Sequence, residues 1–307
     1  MNWRVSGKQT AEDYSTFRNL IKEYNNDSIP IAGASAFWPI IGEPFPIMKS
    51  FLKKLKDADV VSWHYYPTQS FRCPVAVRRA RPFTFLDPKN LEEFNKQNSK
   101  VMKLKESYSP LSEIWMTETG NAQCGGQPGV SDRFIAGLWW LDQLGSAAKN
   151  NNKVVVRQTL AGSDYGLIND KTLEPNPDYW NSLLWKKLIG NKVLLAEKNK
   201  KNHSLRVYAH CTKNKTSVTL LVINLNRNKE INFTFDESLG DKKEVYLLTS
   251  NDPTSKNVFL NSKRLQLTKN KTLPKILPAN SHEKEQILPP TSYAFIVFPE
   301  SNVNACK

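Results

Sequence analysis

The chain has 307 residues, 39% hydrophobic and 10% aromatic, enough to bury a large core and too apolar for a disordered chain. Lysine and arginine number 43 against 29 acidic residues, and the net charge of +14 favours an acidic partner: nucleic acid, anionic membrane or acidic polysaccharide. No apolar run reaches the roughly 18 residues of a membrane span, and the opening MNWRVSGKQT has no signal-peptide core. The chain is therefore expected to be cytosolic or parted from its natural beginning.

In chain order, AEDYSTFRNLIKEY carries apolar residues at helical spacing, and SIPIAGAS reads as a short buried strand. FPIMKSFLKKLKD predicts an amphipathic helix, DVVSWHYYP a strand closed by Pro67, LEEFNKQNSKVMKLKESY a helix and EIWMTETG a strand. SDRFIAGLWWLDQLGSAAKN predicts a helix capped by Ser131. KVVVRQTLAG is rich in strand formers, and PDYWNSLLWKKLIG has proline near its start and Gly190 at its end. Strand then helix, four times over, is the pattern of parallel βα units and half the count of an eight-fold barrel. Beyond Gly190, LRVYAHC, SVTLLVINL, INFTF, EVYLLT and SYAFIVF are short β-rich runs, which predict an all-β sandwich.

In parallel βα folds the chemistry gathers where strands end. Those ends present His64, Tyr65 and Tyr66, then Glu118, then Arg157 and Gln158, with Tyr165 further on. A carboxylate flanked by Trp115 and followed by the glycine-rich NAQCGG suits a sugar site, because carboxylates stabilise or attack oxocarbenium-like centres and aromatics stack on sugar rings. The plainer alternative is a Glu118 paired with a base such as Arg157. Arg78, Arg79 and Arg81 lie in a loop after a strand end, facing either substrate or solvent, and the Lys198–Lys201 run reads as solvated surface. Cys73, Cys124, Cys211 and Cys306 show no CxxC spacing, so neither a zinc site nor thioredoxin-like chemistry is indicated. Asparagine–x–Ser/Thr sequons begin at Asn26, Asn202, Asn214, Asn232 and Asn270.

The runs WMTETGNAQCGGQPGVSDRFIAGLWWLDQLGSAAK, VVVRQTLAGSDYGLIND and PNPDYWNSLLWKKLIGNKVL resemble the heparanase-like family of retaining glycoside hydrolases, as do SGKQTAEDY, VYAHCTKN and the closing NACK. The resemblance implies a (β/α)8 TIM barrel, only its second half present as residues 1–190, followed by a β-sandwich at 191–307. It implies cleavage of β-glucuronosyl linkages in heparan-sulfate-like or other acidic glycans, with no metal or organic cofactor and an extracellular or lysosomal/vacuolar setting. By position, Glu118 matches the nucleophile. Cys124 and Gly125 match the backbone amides that hold the glucuronate carboxylate, and Tyr165 the tyrosine that bonds it. His64, Tyr66 and Gln158 match further substrate-site positions, and Cys211 and Cys306 a disulfide. A bridge between Cys73 and Cys124 stays open.

The sequence departs from the family pattern in four ways. Gln123 stands where a tyrosine is common, Cys124 replaces a glycine, and the segment from Gln158 to Tyr165 is one residue shorter. The Asn-Glu-Pro motif of the family's acid/base glutamate occurs nowhere in the chain, and Glu43 of IGEPFP falls in a loop where the family has no acid. The expectation is a fragment, inactive alone, whose barrel an amino-terminal chain completes. A non-catalytic binder of anionic glycans is the rival, and a nucleic-acid-binding protein fits the charge without any recognisable module.

Overall fold

The computed structural model describes residues 5–24, 32–33, 44–56, 58–197, 202–301 and 303–307. Glu43, the Asn26 sequon and residues 198–201 lie outside them. The elements run α1 (Gly7–Tyr24), β1 (Ala32–Gly33), α2 (Pro44–Lys54), β2 (Val60–Tyr65), β3 (Thr68–Gln69), α3 (Pro88–Tyr108), β4 (Glu113–Thr119), β5 (Ala122–Gln123), α4 (Phe134–Lys149), β6 (Asn152–Arg157) and α5 (Pro177–Leu188). They continue as β7 (Ile189–Leu194), β8 (Leu205–Thr212), β9 (Val218–Asn224), β10 (Ile231–Thr234), β11 (Lys243–Thr249), β12 (Phe259–Leu260), β13 (Lys263–Arg264), β14 (Ala279–Ser281), β15 (Glu285–Leu288) and β16 (Ser292–Phe298). The chain divides into two compact units, one of residues 1–67, 92–120 and 150–158, the other of the remainder.

The first unit is a parallel sheet in the order β1-β2-β4-β6. Parallel strands covered on both faces read as continuous apolar runs, and β2 is buried at every position but His64. Trp63, Tyr65 and Phe94 of α3 form an aromatic cluster with ring centroids 5.4–6.0 Å apart. Two polar ties fix the register. The indole of Trp63 donates to Asn152 at 2.9 Å, and the hydroxyl of Thr119 donates to the carbonyl of Tyr65 at 2.7 Å. Helix α1 begins earlier than its apolar spacing suggests, at Gly7, because the hydroxyl of Ser6 accepts the Gln9 amide.

The second unit holds a sheet ordered β13-β12-β11-β16-β9-β8-β7, with β14 also on β11 and the separate ribbon β10-β15. Its strands pair antiparallel, and Leu205, Val222, Ala294, Ile296 and Phe298 lead its core. The β-rich reading of LRVYAHC, SVTLLVINL, INFTF, EVYLLT and SYAFIVF corresponds to β8, β9, β10, β11 and β16. Helix α4 is buried from Phe134 to Ala147. It starts three residues after Ser131, which corrects the expected cap. The Ser131 hydroxyl accepts the Gln127 amide, while the first-turn amides of Phe134 and Ile135 donate to the carbonyls of Ser255 and Pro253. Backbone carbonyls from a distant loop thus do what a capping side chain would. Two disulfides, Cys73–Cys124 and Cys211–Cys306, leave no free cysteine among the described residues.

Candidate active site

Two groups of the singled-out residues are assembled, one in each unit. In the first, β2 and β4 are neighbours, and their register sets His64 opposite Glu118 just past an irregularity at Trp63/His64. The phenol of Tyr66 donates to Glu118 Oε1 at 2.6 Å, and His64 Nδ1 lies 3.5 Å from Oε2. Both carboxylate oxygens are therefore oriented at the carboxyl end of a parallel strand, and the side chain keeps 37% exposure. The hydroxyl of Tyr66 fixes one carboxylate oxygen while the other faces the imidazole of His64. Burial lowers the pKa of His64 below its ordinary value, the charge of Glu118 opposing this less strongly. Among the described residues Glu118 is partnered by this tyrosine and histidine, not by Arg157. The amide of Gln158 donates to the carbonyl of Thr119 at 2.9 Å, tying the end of β6 to that of β4.

Trp115 is placed differently from the sequence expectation. Its indole donates to Glu113 at 2.8 Å, at the opening of β4 rather than at Glu118. Three residues along a strand span roughly 10 Å, too far for a ring stacking on a sugar held at Glu118.

In the second unit, the loop after β5 carries three successive residues in the left-handed region: Cys124 at φ 60°, Gly125 at 84° and Gly126 at 83°. Cysteine is held there by its bond to Cys73. The carbonyl of Gly125 accepts the Asp164 amide at 2.8 Å, and the buried Tyr165 sits close against Gly126. Cys124, Gly125 and Tyr165 are thus brought together. Arg72 completes this group, its guanidinium 2.5 Å from the Asp164 carboxylate. The Arg72–Asp164 clamp was not foreseeable from the spacing of these residues. The one available signal was that Arg72 precedes Cys73. The Gly126 amide closes the turn after β5 by donating to the Ala122 carbonyl at 3.1 Å.

Comparison with known proteins defines the class first. The GH51 α-L-arabinofuranosidase from Thermotoga petrophila RKU-1 superposes with a TM-score of 0.66 at 15% identity, covering 97% of this chain and 64% of that one. That likeness gives the fold, a TIM barrel. Residues 1–145 match the model of the glycosyl hydrolase family 79 N-terminal domain. Bovine heparanase (Bos taurus) is 35% identical over 319 residues, 98% of this chain and 56% of its own length. The hyaluronoglucuronidase of Hirudo nipponia is 31% identical over 324 residues, 99% of this chain and 62% of its own. Inactive heparanase-2 of Mus musculus is 30% identical over 329 residues, 99% and 54% respectively. The chain belongs to the heparanase-like glycosyl hydrolase family 79. It spans a little over half the length of these relatives.

Proposed function

We propose that this chain supplies the nucleophile half of a retaining hydrolase cleaving β-glucuronosyl linkages in heparan-sulfate-like or other acidic glycans. The observation that carries the reading is the Glu118 carboxylate at the end of β4, held by the hydroxyl of Tyr66 at 2.6 Å with His64 beside it. Glu118 attacks the anomeric carbon as the glycosidic C–O bond breaks, forming a glycosyl ester that water then hydrolyses. The loop of Cys124 and Gly125, with Tyr165, receives the glucuronate carboxylate, and His64, Tyr66 and Gln158 line the substrate site. Residues 1–190 form the second half of a (β/α)8 barrel and 191–307 a β-sandwich. The acid/base glutamate, which the retaining reaction requires about 5–5.5 Å from the nucleophile, comes from an amino-terminal segment or chain that completes the barrel. Two disulfides fit an oxidising setting, outside the cell or in a lysosome or vacuole.

The test is turnover of a fluorogenic β-glucuronide by protein carrying this chain with the complementary barrel half, the product anomer followed by NMR. Retention of configuration supports the reading, and inversion contradicts it. The likeness to an inactive heparanase-2 favours a second reading, a non-catalytic binder of anionic glycans. Glycan binding without turnover in the completed barrel would establish that one instead.

A further inference from the structure

Residues 71–83 form a loop of the second unit whose backbone is pinned at several points. Cys73 is bonded to Cys124, and the side-chain oxygen of Gln69 accepts the amides of Val77 and Arg78 at 2.7 and 3.0 Å. The backbone of Gln69 exchanges two further bonds of 2.8 Å with Arg78 and Ala80. A loop held in this way presents its side chains in fixed positions.

Those side chains are unusual for a solvated loop. Phe71, Val75, Val77 and Phe83 are 55, 60, 68 and 43% exposed. Single exposed apolar residues need no explanation, but here three fall on one short loop and a fourth, Phe83, in the 3-10 turn Pro82–Leu86 that follows it. Arginines are threaded between them. Arg79 lies 5.4 Å from the ring centre of Phe71, and Arg227, from the turn after β9, stands 3.4 Å over Phe83. Arg72 is committed to Asp164. Arg78, Arg79, Arg81 and Arg227 make no ion pair among the described residues, and from Val60 to Leu86 the sequence holds no Asp or Glu.

The ligand must offer anionic groups and apolar depth together. A sulfated glycan or a nucleic acid would satisfy the guanidinium groups but leave Val75 and Val77 in water. A bilayer carrying acidic phospholipids supplies phosphates for bidentate arginine contacts and an acyl boundary for apolar tips a few ångströms further in. We propose that the 71–83 loop, with Arg227, is a peripheral docking surface for anionic phospholipid membranes, independent of any glycosidic chemistry.

Vesicle flotation of the 307-residue chain tests this, since it separates bound protein from aggregate. The chain should float with vesicles of phosphatidylcholine plus phosphatidylserine, not with phosphatidylcholine alone. Val75→Ser with Val77→Ser should weaken binding about tenfold, as should Arg79→Gln with Arg81→Gln. Val75→Leu with Val77→Leu should strengthen it, a gain that misfolding would not mimic, and peptide mapping should still find Cys73 bonded to Cys124. Failure to float with the mixed vesicles would overturn the proposal. So would serine variants that bind as well as the parent, or capture by immobilised sulfated glycan that needs the arginines but not the valines.

Discussion

Gly126→Ala tests whether the turn that carries Cys124 and Gly125 is built against Tyr165. Gly126 has φ 83°, where an L-residue costs about 1–2 kcal/mol. A Cβ there would also meet backbone: the amide nitrogen of Tyr165 at 2.8 Å and the carbonyl carbon of Asp164 at 3.1 Å, besides the Tyr165 ring at 3.0 Å. Neither backbone atom can swing aside as a flexible side chain would, so overpacking adds about 1–3 kcal/mol. The total is about 2–5 kcal/mol. Gly129→Ala is the control, because it has φ 69° with nothing within 4 Å of the new methyl and bears only the conformational part. Urea unfolding of both variants, followed by tryptophan fluorescence, measures the difference, which should be about 1–3 kcal/mol. Equal midpoints for the two would show that the loop does not rest on Tyr165, and the proposed receipt of a glucuronate carboxylate by this loop would lose its support.

Gly145→Ala on α4 would place a methyl 2.3–2.6 Å from ring carbons of Tyr208, whose hydroxyl is held by Asp142 at 2.6 Å and Ser146 at 2.9 Å. Breaking that buried bond while overpacking the ring should cost about 2–4 kcal/mol, read as a lower urea midpoint. Burial lowers the pKa of His210 from its ordinary 6.5, the Gly190 carbonyl opposing it weakly, so the unfolded chain takes up the proton first. Its contribution is complete above pH 6.5 and lost as pH falls through the lowered folded value; His210→Gln should flatten that part of the thermal midpoint between pH 7 and 5. Cys211→Ser with Cys306→Ser opens a loop of 95 residues and should cost about 2–5 kcal/mol in thermal or urea unfolding.

The sequence shows most clearly what periodicity and strand ends govern. VVSWHY and EIWMTET are continuous or β-branched runs between turn signals, and they became adjacent parallel strands with His64 and Glu118 side by side. Short strands were harder to see: β12 and β13 have two residues each and owe their pairing to neighbours rather than to their own composition. Contacts between distant segments left little trace. Cys73 and Cys124 are 51 residues apart, and Arg72 meets Asp164 across 92. The Ser131 cap and the Trp115 platform failed for one reason. Each reading assigned a local role to a residue whose hydrogen bond went to another partner, the Gln127 amide for one and the Glu113 carboxylate for the other.

The central claim is that Glu118 forms the glycosyl ester. Protein carrying this chain with the complementary barrel half is treated with a fluorinated β-glucuronyl fluoride, which forms the ester but releases it slowly, then digested and mapped by mass spectrometry. A single adduct is expected on the peptide containing Glu118, absent from Glu118→Gln protein of unchanged thermal midpoint. An adduct on Glu43 or another carboxylate, with Glu118 unmodified while the enzyme turns over, would contradict it.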